Sequence, residues 1–99
     1  MLIVRFAVSN PSKIDVRAQH LEAHKLWIRT LPLKLLLSGP LIQGESTSAA
    51  LIVVEADSVQ QFQRLCESDP FVRHSVYVTT EIMEWKPTAG MLLEQVSGK

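Results

Sequence analysis

Leu51-Ile52-Val53-Val54 is apolar at four consecutive positions, and a strand of that kind needs cover on both faces of its sheet. The chain has little with which to supply it. At 99 residues, with 46% apolar and 20% charged side chains, it is expected to form one globular domain over 1–99. A core of that size hides only about two-thirds of the unfolded surface. The strand carrying the apolar run, Ala49 to Glu55, is one of four that the pattern predicts. Residues 2 to 8 are β-branched and aromatic and stop at Ser9-Asn10-Pro11-Ser12, a turn cluster. Residues 33 to 38 are held between Pro32 and Gly39-Pro40, too short for a helix. Near Ser75 to Trp85, Val76, Val78, Thr80 and Ile82 alternate with their neighbours.

Two helices lie between these strands. Ser12 is placed to cap the first, with Asp15 at the reciprocal position, and Ile14, Ala18, Leu21 and Ile28 form its apolar stripe until Pro32 stops it. Ser58 and Gln61 cap the second, which buries Val59, Phe62 and Leu65 and ends at Ser68-Asp69-Pro70. Gln43 to Thr47 reads as a polar loop, and the tail from Ala89 has a short helical pattern in Met91-Leu92-Leu93. The order β-α-β-β-α-β is that of the α+β ferredoxin-like plait: an antiparallel sheet, strands 1 and 3 central, two helices on one face. Strand 1 offers Leu2, Val4 and Phe6 to one face and Ile3 and Ala7 to the other, and strand 3 is apolar on both, so the uncovered face is apolar and the chain is expected to cover it by pairing with a second copy through the sheet, with further assembly left open. A monomer shielded by its own tail is the alternative.

Ten Lys and Arg offset ten Asp and Glu, which argues against general nucleic-acid binding and against an anionic membrane surface. Cys66 is the single cysteine; it reads as a core filler, and its solitude fits a reducing, cytoplasmic setting. The apolar start is interrupted by Arg5 and reads as a strand, not a targeting segment.

Five residues carry the candidate chemistry. His20, beside the sheet-facing side of helix 1, is either a half-buried histidine satisfied by a carbonyl or a general base. Asp69 precedes Pro70, where turn chemistry alone accounts for it; in the plait it can also come within reach of helix 1 and orient an imidazole. Ser38 and Gly39 close strand 2 as a plain turn, or offer a hydroxyl and a backbone N–H to a substrate oxygen. Arg17 shares a helix stripe with His20 and His24. The latter two form an H-x3-H pair without a third ligand at fixed spacing, so no metal is assigned. His74 reads as surface, and Trp27 and Trp85 as packing anchors.

Arg17-Ala18-Gln19-His20-Leu21, Leu37-Ser38-Gly39-Pro40-Leu41, Ser68-Asp69-Pro70-Phe71 and Glu81-Ile82-Met83-Glu84-Trp85 follow one another over almost the whole chain. In that order they resemble the YCII-related, or YciI-like, family. The resemblance implies a plait that dimerises as an α+β barrel, with a pocket centred on a histidine and an aspartate proposed to be catalytic, here His20 and Asp69, flanked by Arg17 and Ser38. It also exposes a departure: Leu31-Pro32-Leu33-Lys34 stands where relatives commonly have a glycine turn. Some relatives eliminate chloride from hydroxylated rings. The expected function is therefore proton transfer, of isomerase or lyase type, on a small acidic or aromatic-derived metabolite, with no cofactor. The alternatives are a non-catalytic module that binds a small ligand or a protein, and a cofactor-free or haem-dependent oxygenase on the same barrel.

Overall fold

A computed structural model describes residues 1–97. Strand β1 (Leu2–Ser9) leads through a single 3-10 turn into helix α1 (Ile14–Arg29); β2 (Lys34–Gln43) and β3 (Ser46–Glu55) follow as a hairpin. Helix α2 (Val59–Cys66), a single turn α3 (Pro70–Arg73), strand β4 (Tyr77–Glu84) and a short α4 (Leu93–Ser97) complete the order. The four strands are antiparallel in the order β2-β3-β1-β4, so β1 and β3 are central. This is the expected α+β ferredoxin-like plait.

Alternation along β1 divides the sheet. Ile3, Arg5 and Ala7 point under the helices and are fully buried, and Ile52 and Val54 of β3 join them. One cluster gathers Ile3, Ile52, Val54, Phe62 and Cys66, with Trp27 and Ile28 of α1 against it; a second gathers Ala7, Phe71, Val76 and Tyr77, with Leu21 beside it. Arg5, 1% exposed, stands on the same face between Ile3 and Ala7. The opposite face carries an apolar row across all four strands, Leu37, Val53, Val4 and Met83, set by the pairing register.

Several boundaries differ from the sequence reading. Ser12 does not cap α1: Asn10 caps a 3-10 turn over Pro11–Lys13, its Oδ1 accepting from the Ser12 N–H at 3.1 Å, and α1 begins at Ile14 after Lys13 with no side-chain cap. Strand β2 does not stop at residue 38. It runs to Gln43, because β2 is an edge strand and Pro40 needs no partner on its open side. The loop expected at Gln43 to Thr47 shrinks accordingly to a tight turn in which Gly44 has φ +62°. Ser58 Oγ caps α2 by accepting from the Gln61 N–H at 3.1 Å, while Gln61 Oε1 accepts from the Asp57 N–H at 2.7 Å.

Candidate functional site

Between α2 and β4 the chain makes an element the sequence reading did not foresee. Pro70 can start a helix because its missing N–H would be unpaired there in any case. Asp69 caps that single turn, its Oδ1 accepting from the Phe71 N–H at 2.9 Å. Helix α3 runs back along α1: its start lies against His24 and its end against His20. Asp69 Oδ1 thus stands 2.7 Å from His24 Nδ1, and the His74 ring stacks on His20 with centroids 3.7 Å apart. The expected His20–Asp69 pair is therefore corrected to His24–Asp69, one helical turn further along α1. His24, not His20, is the buried histidine of the helix.

The stripe of α1 that faces the sheet is also different. Arg17, Leu21, His24 and Ile28 line the space beneath the helix, whereas Ile14 is 68% exposed and Ala18 is exposed. An imidazole at the centre of the buried stripe breaks the apolar periodicity from which the stripe was inferred.

Asp69 is 0% exposed, and its second oxygen, Oδ2, lies 2.8 Å from Arg5 Nη1. That pair is close but off-axis: Arg5 Nε, Arg5 Nη1 and Asp69 Oδ2 have no aligned hydrogen-bond partner among the described residues. Burial alone would raise the Asp69 carboxyl. The hydrogen bond from His24, the charges of Arg5 and His24, and the Phe71 N–H outweigh it, holding the carboxyl below its ordinary 3.8. An ionised Asp69 can only accept, so the shared proton sits on His24 Nδ1, leaving Nε2 free for a ligand. The imidazole is fixed on its other side by stacking on Phe71, with centroids 3.9 Å apart and planes within 5°.

In the sequence Arg5 stands only as an interruption of an apolar strand. Its guanidinium lies 5.4 Å from the Trp27 ring and 5.2 Å from the Tyr77 ring, and its Nη2 donates to the Tyr77 hydroxyl at 3.4 Å. Burial pushes the Tyr77 phenol up to about 12, so it stays protonated and able to donate. Burial likewise pushes the Cys66 thiol up to about 11, which suits a packing role and not a thiolate nucleophile.

Of these groups, Arg5, His24, Phe71 and Tyr77 border a cavity of about 210 Å³ between α1, α3 and the sheet. Arg17, Ser38 and Gly39, all singled out in the sequence, line it with Arg5, His24 and Tyr77. His20 does not. Arg5, Arg17 and Lys25 are its charged lining residues apart from His24, with no carboxylate among them. Asp69 lies behind Arg5 and His24. Arg5 is offset by Asp69 and Lys25 lies 3.6 Å from Glu22, so Arg17 is the lining cation without an ion-pair partner among the described residues. Among the described residues, no group of three or more His, Cys, Asp or Glu is gathered to hold a metal ion. No helix among them is long and apolar enough to cross a membrane.

A family profile described as the YCII-related domain matches residues 1–86. No curated protein matches the chain. Among solved structures, a 5-chloro-2-hydroxyhydroquinone dehydrochlorinase from Burkholderia phenoliruptrix, in complex with 2,5-dihydroxybenzoquinone, is similar at 23% identity and a TM-score of 0.78, over 87% of this chain and 94% of that one. A putative antibiotic biosynthesis monooxygenase from Bacteroides thetaiotaomicron is similar at 12% identity and a TM-score of 0.55, over 93% and 92%. A NIPSNAP domain protein from Burkholderia xenovorans reaches 19% and 0.53, over 90% and 96%. At these identities the likeness is one of fold.

Proposed function

The chain belongs to the YCII-related domain family, and on that footing we propose that it is an acid–base enzyme in which His24 moves a proton on a small anionic ring compound. The observation that carries this reading is the buried Asp69 carboxylate 2.7 Å from His24 Nδ1, at the wall of a cavity whose charged lining is cationic. Asp69 fixes the imidazole tautomer and stabilises the imidazolium that forms. Nε2 takes a proton from a C–H or O–H of the ligand. The released electron pair either forms a double bond and expels a leaving group from the adjacent carbon, or is reprotonated at another position. Arg17 and Lys25 hold the ligand's negative charge, and the protonated Tyr77 hydroxyl can donate to an oxygen that becomes negative. Ser38 and Gly39 bound the ligand from the sheet side.

The test uses 2,5-dihydroxybenzoquinone, the ligand in the dehydrochlorinase structure, as the first probe. Calorimetry reads its binding, and NMR in D2O reads exchange of its ring C–H. The wild-type protein is expected to bind it and accelerate exchange, and His24→Gln to reduce exchange by about 10²- to 10⁴-fold with binding largely kept. Binding without exchange, or exchange indifferent to His24, favours a ligand-binding module. Equivalent loss in His20→Gln, with His24→Gln intact, restores the original assignment.

The second part of the proposal is the assembly. The row Leu37, Val53, Val4 and Met83 crosses the open face of the sheet, and Leu37 is 67% and Met83 46% exposed. A second copy laid on that face would bury it at roughly 25 cal/mol per Å² of apolar area.

A further inference from the structure

The N-terminal part of the apolar stripe expected along α1 stays out of the core at Ile14 and Ala18, while Leu21 packs at the edge of the cluster around Phe71. All three line a second hollow of about 660 Å³, between the N-terminal half of α1 and the tip of the β2–β3 hairpin. Val8 and Val76 extend the apolar wall, and Ser48 stands among the hairpin residues opposite. Arg17 and Leu21 line both this groove and the smaller cavity at His24, so the two spaces adjoin across those side chains.

Size and charge distinguish the two. An apolar cavity of about 150 Å³ takes up benzene, so the chamber of about 210 Å³ has room for one substituted ring and little more. The groove is about three times as large, and its charged lining consists of Arg17 at the junction and Glu45 at the hairpin. A negative group is therefore favoured at Arg17 and disfavoured toward Glu45.

We propose that the substrate is bipartite: an anionic ring in the chamber at His24 and Arg17, joined to an uncharged, largely apolar tail in the groove along Ile14, Ala18 and Leu21. This rests on the reading of His24 and Arg17 as an acidic-ligand site, and adds the class of compound the site is built for. The tail sets specificity; it takes no part in proton transfer. Each methylene of the tail fully buried in the groove brings roughly fourfold in affinity.

Benzoate and 4-hexylbenzoate are the probes, titrated by calorimetry against the wild-type protein and against Ala18→Trp, which fills the groove from an exposed helix position. The expected result is that the hexyl compound binds at least about tenfold tighter than benzoate to the wild type, and that the ratio collapses toward one in Ala18→Trp. Ile14→Asp, at a position 68% exposed, provides the same comparison by polarity if the tryptophan variant does not fold. Benzoate binding with no gain from the hexyl chain, or a gain that survives both substitutions, overturns the bipartite substrate and leaves the acidic-ligand site standing. Failure of both acids to bind at millimolar concentration overturns that site and the tail proposal with it.

Discussion

Arg5 and Asp69 form a buried ion pair, and such a pair contributes little net stability when intact but leaves an uncompensated charge when one partner is removed. Asp69→Asn is accordingly expected to lower the unfolding free energy at pH 7 by about 3 kcal/mol or more, read from urea melts. The pH dependence has a definite sign. The folded-state carboxyl lies below its ordinary 3.8, so the unfolded chain binds the proton more readily. Its contribution is complete above that value and is lost as pH falls through the lower folded-state value. Below about pH 4 the wild-type curve should descend toward that of Asp69→Asn; parallel curves from pH 7 to pH 3 contradict the assignment. Asp69, Arg17, Ser38 and Gly39 were legible in the sequence as residues at or beside the cavity, whereas the histidine that meets Asp69 was not. The reason is physical: His20 and His24 lie one turn apart on the same helix, and only α3, a four-residue element started by a turn-like Asp-Pro, decides which one the carboxylate meets. Arg5 was hidden because a charged residue inside an apolar strand reads as a defect until its partner is known.

Helix α1 and strand β2 illustrate the same lesson for elements. The apolar stripe Ile14, Ala18, Leu21 was visible, and its destination was not: periodicity identifies residues that seek cover without saying whether protein or ligand provides it. In β2, Gly39-Pro40 has the composition of a turn, yet at a sheet edge a proline leaves no ladder bond unmade. The two glycines of this hairpin should therefore behave differently. Gly44 has φ +62° and nothing within 4 Å of a Cβ built on it, so the cost of Gly44→Val is conformational alone. That cost is about 1–2 kcal/mol, lowering Tm by roughly 4–8 °C for each kcal/mol. Gly39 has ordinary backbone angles and open space at the same position, so Gly39→Ala should leave Tm unchanged or slightly raised. Equal Tm values for the two variants would refute the turn assignment.

For the molecule as a whole, the sheet order and the two-helix layer were legible because strand and helix periods differ and the β-α-β-β-α-β order admits few topologies. The open face was legible too, since β1 and β3 carry apolar residues on both sides. If a second copy covers it, light scattering during gel filtration will return twice the chain mass at micromolar concentration. Leu37→Glu, which sets a charge into the row Leu37, Val53, Val4 and Met83, will shift the protein to monomer. A monomeric wild type disposes of the face-to-face pair.

One of the two free margins of the sheet is β2. Pro40 has no N–H to offer there, and the register slips between Leu35 and Leu37 and again between Leu41 and Ile42. A neighbouring backbone approaching from outside meets an interrupted track of donors and acceptors, unfit to template strand after strand. Whatever company this protein keeps, that margin is protected against growth into a fibril.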